Sequence, residues 1–169
     1  MFRPMRRSAQ AIPTAEAERI LATASSGVLA LAGDDGYPYA LPISYVYADG
    51  KLYFHSATTG HKIDAIRRCD RASFCVIDRD DVVPEQLTTK YRSVIAFGRI
   101  RLLDDPDEMR TALRILAAKY APGLPTAPAE AEIRDALPAG RRPGVAVFAL
   151  TIEHLTGKEG RLLDAERAQ

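Results

Sequence analysis

The chain has 169 residues, 47% of them apolar and 27% charged, with a formal net charge of +1. That length suits one domain with a substantial core, and the composition is that of a soluble globular protein. A charge so near zero excludes a global electrostatic pull toward nucleic acid or a membrane surface, and no apolar run approaches the roughly 20 residues of a spanning helix.

The Arg-rich start, MFRPMRRS, lacks the apolar stretch of a secretory signal. Residues 1–13 are therefore expected to form a flexible basic tail. Thr14 is expected to cap a short helix that buries Ile20 and Leu21. The small apolar run 27-GVLALAG-33 reads as a strand, 34-DDG-36 as a turn, and 37-YPYALPISYVYA-48 as a strand whose two prolines place it at an edge or bend. Asp49-Gly50 is the strongest hairpin signal, because both central residues of the favoured tight turn need positive φ. It sends 51-KLYFHS-56 back along the preceding strand, with Leu52 and Phe54 on one face and Tyr53 and His55 on the other.

A helix over about 61–69 follows, with Ile63 and Ile66 on one side and Arg67 and Arg68 in its last turn, where cations suit the helix dipole. The run 72-ASFCVID-78 is a strand in which Cys75 alternates as a small core residue. Residues 79–91 read as a longer irregular connection. In 92-RSVIAFGRIRLLD-104, Val94, Ala96, Gly98 and Ile100 alternate against Ser93, Ile95, Phe97 and Arg99, and Gly98 marks a bulge or a close backbone approach. Asp105 caps the next helix, Pro106 takes its first position and Glu108 can close a capping box. That helix runs to about Tyr120, with Leu113, Leu116 and Ala117 inside. A Pro-rich connector, a short helix over 129–137, a loop over 138–144 and a final core strand over 145–153 complete the chain. Two cysteines, Cys69 and Cys75, without a CxxC, fit a reducing cytoplasm.

About six strands joined by tight turns argue for a mainly β, α+β fold built on an antiparallel sheet. At this spacing six strands close into a small barrel, an open sheet being the alternative.

The polar turn between His55 and Lys62 is the candidate site. His55 and His61 are six apart with only Asp64 near, which suits no common zinc spacing, so no metal is expected. His55 and Ser56 are strand neighbours on opposite faces and cannot form a serine–histidine pair. A turn entering a helix N-terminus presents free amides and partial positive charge. Gly60 permits close approach, Ser56, Thr58 and Thr59 offer hydroxyls, and Lys62, with His61, offers charge. Cations at that end are unhelpful to the helix itself and make sense around a bound anion. The alternative is that Thr58 or Thr59 simply caps the helix and the cations are merely exposed.

The order strand–DG–strand ending FHS, then GHK-ID and a helix, resembles the pyridoxamine 5′-phosphate oxidase-like split-barrel flavoproteins. The stretches 90-KYRSVIAFGRIRLLDDPDEMRTAL-113 and 156-TGKE-159 resemble the nitroimidazole-resistance (Nim-type) branch. The resemblance spans about residues 14–159. It implies a six-stranded antiparallel split β-barrel with flanking short helices, one domain over 14–160 and a C-terminal tail over 161–169. It further implies a homodimer with flavin at the interface, FMN being usual and FAD or a deazaflavin the other choices. By position, His55, Ser56 and Thr59 would line the flavin and its phosphate, which His61 and Lys62 would meet. Pro42, Ile43 and Ser44 would lie along the ring. Tyr91, Arg92 and Ser93, with Lys158, would approach the flavin, reaching the partner chain's site.

The Nim-type branch implies an oxidoreductase that reduces a nitroaromatic or another small acceptor, with NAD(P)H as a candidate donor. The C-terminal Arg-containing signature of pyridoxamine phosphate oxidases is not found and the chain has no Trp, so oxidation of a B6 vitamer is not implied. The competing reading is a non-catalytic flavin or haem carrier or sensor, with His154 or His61 as the axial ligand of a haem.

Overall fold

The computed structural model describes residues 2–137 and 144–160. Seven strands form one sheet: β1 Ser26–Ala32, β2 Pro38–Ser44, β3 Val46–Ala48, β4 Lys51–Ala57, β5 Arg71–Val83, β6 Thr88–Leu102 and β7 Val145–Glu159. Four α-helices accompany them: α1 Thr14–Thr23, α2 His61–Arg68, α3 Pro106–Tyr120 and α4 Thr126–Ala136. The sheet order is β2-β1-β5-β6-β7-β4-β3, and every pairing is antiparallel. The expected antiparallel α+β split barrel is the observed architecture. The seventh strand arises because the run expected over 37–48 breaks at Tyr45 into β2 and β3.

That break shapes the molecule. β2 and β3 are the two outer edges of the sheet, yet only Tyr45 separates them along the chain. The sheet must therefore roll until its edges meet, although no ladder joins them. Pro38 and Pro42 are tolerated because β2 pairs on one side only. At the other edge the Asp49-Gly50 turn has both φ positive, 50° and 72°, as a tight hairpin requires.

Tyr45 is completely buried and held from every side. Its hydroxyl donates to the Leu21 carbonyl at 2.7 Å, and its backbone N–H donates to the Tyr120 hydroxyl at 2.8 Å. The Tyr120 proton in turn faces the carbonyls of Ser25 at 2.5 Å and Tyr45 at 2.6 Å. Lys119, whose ammonium lies 4.4 Å from the Tyr45 ring centroid, donates to the Ala24 carbonyl at 2.6 Å. Burial pushes the Tyr45 hydroxyl pKa up and that of Lys119 down.

Two apolar clusters lie on opposite sides of the sheet. Inside the roll, Tyr45, Phe54, Phe74 and Phe148 stack around Leu29, Leu52, Val76 and Val94, with Ile20, Leu21 and Ile66 from α1 and α2 closing the ends. Outside it, Met109, Leu113, Leu116 and Ile133 of α3 and α4 pack on Val46, Val147 and Ala149. Successive residues of one strand thus serve different cores, Phe54 the inner and Tyr53 the outer.

Several expectations meet the structure in detail. Gly98 lies at a register shift between β6 and β7, and a Cβ there would overlap the Thr151 carbonyl. Asp105 caps α3, its carboxylate accepting from the Asp107 amide at 3.2 Å. Glu108 closes no capping box there and instead pairs with Arg101 at 2.5 Å. Thr14 is the first residue of α1 rather than its cap, which is Pro13. Cys75 sits half-buried on the outward face, because Ala72, Phe74 and Val76 take the inward positions. Residues 79–91 are no irregular connection: Arg79↔Arg92 through Val83↔Thr88 continue the β5–β6 pairing into a projecting arm. Helix α4 begins at Thr126, within the Pro-rich stretch, and β7 continues to Glu159.

The N-terminal segment, expected as a flexible tail, is seen against the domain. The Ile12 amide donates to the Gly157 carbonyl at 3.1 Å, and Phe2 stacks on His154 at 4.6 Å. The expected C-terminal tail over 161–169 and most of the 138–144 loop lie outside the described residues. No helix among the described residues is long and apolar enough to cross a membrane.

Tyr120→Phe removes the acceptor for the Tyr45 amide. Stability should fall by about 1–3 kcal/mol, the cost of a stranded buried donor, read as a lower urea midpoint with unchanged slope. A loss under ~0.5 kcal/mol would show that the crossover is not held by this hydroxyl.

Candidate functional site

The segment Ser56–Lys62 turns β4 into α2. Helix α2 is capped by Gly60, with φ 110° and ψ 173°, and no side chain makes a cap hydrogen bond. Capping by Thr58 or Thr59 is therefore not what the structure shows. The Ile63 and Asp64 amides return to the Gly60 carbonyl at 2.9 and 3.2 Å, which leaves those of His61 and Lys62 outside the helical ladder. Nothing lies within 4 Å of where a Gly60 Cβ would stand, so the glycine answers the backbone angle and leaves the approach open. Thr58, Thr59 and Gly60 are all exposed and Lys62 is half-buried. The Ser56 hydroxyl donates to the Ala57 carbonyl at 2.9 Å.

The two histidines diverge. The His61 ring stacks on Tyr39 at 3.9 Å, with its Nε2 3.4 Å from an Asp34 carboxylate oxygen. Arg68 joins the same group, 2.8 Å from Asp34, so His61 is directed to the β1–β2 turn. His55 points to the other side of β4, where it lines a cleft with Ser44, α3, α4 and Val145. Along β2, Tyr39, Leu41 and Ile43 pack toward the inner core, while Pro42 and Ser44 are exposed.

Tyr91, Arg92, Ser93 and Lys158 form a second, separate group. Arg92 and Ser93 pair with Glu159 and Lys158 at the end of β7, whereas Ser56 pairs with Ala146 near its start. The twelve positions between Ala146 and Lys158 correspond to about 40 Å of strand. One chain therefore does not bring the two groups together. Arg92 is engaged by carboxylates of its own chain: Asp78 at 2.6 Å, Glu16 at 3.4 Å and Glu159 at 3.9 Å. The Lys158 ammonium lies 5.4 Å from the Tyr91 ring centroid.

A family model described as pyridoxamine 5'-phosphate oxidase matches residues 13–159, from the lead into α1 to the last residue of β7. The chain belongs to the pyridoxamine 5′-phosphate oxidase family. Solved structures share the family fold. A conserved hypothetical protein from Mycobacterium tuberculosis superposes with a TM-score of 0.78 at 19% identity, covering 95% of this chain and 93% of that one. A candidate 5-nitroimidazole antibiotic resistance protein from Bacteroides thetaiotaomicron gives 0.70 at 23% identity, covering 88% and 86%. An FAD-binding protein from Mesorhizobium loti gives 0.59 at 26% identity, covering 89% and 96%. A search among curated proteins returns no match.

Sequence reasoning missed the cleft residues on α3 and α4, as well as Tyr39 beside His61. The amphipathic spacing of Leu113, Leu116 and Ala117 marked a buried face, but gave no sign that the face stops short of His55. If α2 has no side-chain cap, Thr58→Ala and Thr59→Ala should each change stability by less than ~0.5 kcal/mol. A true cap would cost about 1 kcal/mol; thermal melting separates the two.

Proposed function

We propose that this member of the family binds a flavin mononucleotide and acts as a small-molecule oxidoreductase. The observation that carries the reading is the uncapped start of α2. Two amides outside the helical ladder, a positive-φ glycine with open space around it, three hydroxyl residues and Lys62 share one short turn. This is the donor set a terminal phosphate requires. The FAD-binding relative from Mesorhizobium loti and the nitroimidazole-resistance relative from Bacteroides thetaiotaomicron add support. The flavin, when bound, supplies the redox chemistry. This chain's own groups bind and orient: Lys62 and the α2 amides hold the phosphate, with Ser56 and Thr59 beside them. His61 is turned by Tyr39 toward Asp34 and contributes less. The exposed edge of β2 at Pro42 and Ser44 is available to the ring.

The separation of the two residue groups along β7 supports a homodimer in which the Tyr91–Lys158 end of one protomer completes the site of the other. The projecting arm carries Val82 and Leu87, 71% and 96% exposed, two aliphatic side chains that a second protomer would cover. Light scattering should find a particle of two 18.5 kDa chains, and the double variant Val82→Lys, Leu87→Lys should shift it toward one. A flavin-loaded wild-type monomer would refute the shared site.

Lys62→Ala should weaken FMN binding about tenfold to a hundredfold, the value of a charge-assisted phosphate contact, with the fold intact by circular dichroism. Unchanged affinity would remove the phosphate assignment. In the purified protein the flavin spectrum should bleach with NAD(P)H and return on adding a nitroaromatic; a bound flavin that no donor reduces would favour a carrier.

A further inference from the structure

One cross-strand row runs over the outer face of β1, β5, β6 and β7: Ala30, Ser73, Phe97 and His154, each paired with the next. These residues point outward because Leu29, Phe74, Ala96 and Leu155 take the inward positions of the same strands. Ala30 and Ser73 are small, whereas Phe97 and His154 are large and carry a further ring. Phe2 stacks on His154 at 4.6 Å and meets Phe97 at 5.7 Å, tilted by 41°. The step from the small pair to the aromatic group leaves a hollow of about 660 Å³, lined in the next row by the cross-strand pair Arg71 and Arg99. That volume is in the range of small-molecule sites, about 300–1,000 Å³.

The two arginines differ. Arg99 is spent on its own chain: Nη1 lies 2.9 Å from both Asp70 carboxylate oxygens, and Nε lies 3.3 Å from Glu153. The register shift after Phe97 leaves Glu153 as the extra residue of β7, which brings it to that arginine. Both nearby carboxylates are thus held by Arg99. Arg71 is exposed and makes no side-chain hydrogen bond or ion pair among the described residues, and neither does the Ser73 hydroxyl. The two stand two residues apart on one side of β5, about 7 Å along the strand. A guanidinium fork and a hydroxyl, both without a protein partner, therefore face a hollow whose other walls are Ala30 and two phenylalanines.

We propose that this hollow binds a planar aromatic carboxylate of one or two rings. Its carboxylate takes the Arg71 fork, a bidentate match that a point charge does not offer, with the Ser73 hydroxyl donating beside it. Its ring lies over Ala30 and meets Phe97 and Phe2 in the offset or edge-on contacts that aromatic pairs favour. The reading goes beyond flavin binding and does not rest on it. No residue assigned to the flavin lines the hollow. The Arg79–Arg92 pair at the root of the arm stands six residues along β5 from Ser73, about 20 Å away.

The full-length chain, methyl-labelled at alanine, tests this with 2-naphthoate as the probe. A saturable shift is expected at the Ala30 methyl, with those of Ala96 in the inner core and Ala112 of α3 unmoved. By titration calorimetry Arg71→Gln should weaken 2-naphthoate about tenfold, the value of one charge-assisted contact. The uncharged 2-naphthamide should bind the wild type about as weakly as 2-naphthoate binds that variant. Ser73→Trp, which fills the hollow, should abolish binding; Ala30→Phe does so from β1 should Ser73→Trp not fold. No saturable shift at Ala30, equal affinity in Arg71→Gln, or binding that survives the filled hollow overturns the proposal. Flavin content of the same preparations is read separately by absorbance and should be the same in Arg71→Gln as in the wild type, so loss of one reading leaves the other standing.

Discussion

The fold depends on how one residue crosses from one edge of the sheet to the other. β2 and β3 lie at opposite ends of the seven-stranded sheet, with five strands between them, and one residue apart in sequence, so Tyr45 carries the whole closure of the roll. Its burial among Phe54 and Phe74 provides the apolar gain, of the order of 1.5–3 kcal/mol for a large side chain. Its hydrogen bonds to Leu21 and Tyr120 provide the geometry. The end of α3 is tied by Tyr120 and Lys119 to the loop after α1 and to the crossover. Ser44 at the end of β2 and His55 on β4 are therefore held relative to one another through Tyr45 and Tyr120.

The second organising fact is that β4 separates two chemistries. Leu52, Phe54 and Ser56 share the inner side and run on to the start of α2; Tyr53 and His55 share the outer side under α3 and α4. Period-two alternation alone prevents His55 and Ser56 from acting on one atom. What looks in the sequence like one crowded histidine-rich turn is in space an anion-suited helix start, a histidine stacked on Tyr39, and a cleft histidine.

Much of this was legible before any coordinates. The Asp49-Gly50 hairpin, the inward set Val94, Ala96, Gly98 and Ile100, and the capped start of α3 follow from backbone angles and periodicity, which are local. The arm over 79–91 was illegible because neither face of it meets a core, so RDDVV and TTKY carry no alternation to read. Helix α4 reads short in the sequence because Pro125 and Pro128 look like a connector, although both stand at positions that have no helical donor to lose. Cys75 reads as a core residue because an apolar run shows no phase until the burial of Phe74 fixes it. The pairing of Arg92 with Asp78, Glu16 and Glu159 joins residues far apart in sequence, and no local pattern announces it. Family resemblance, rather than spacing, turned an anion site into a flavin expectation.

The arm also sets a boundary in cooperativity. Beyond Arg92 no third strand among the described residues pairs with β5 or β6, and the turn at its tip places Leu87 in the left-handed region at φ 48°. Its opening is governed by its own cross-strand pairs and not by the phenylalanine core, so it can detach and re-form while the barrel stays closed. The sheet thus carries a rigid enclosure and a reversible ribbon on the same two strands. Natural variation in the ribbon can change what this protein touches without altering what keeps it folded.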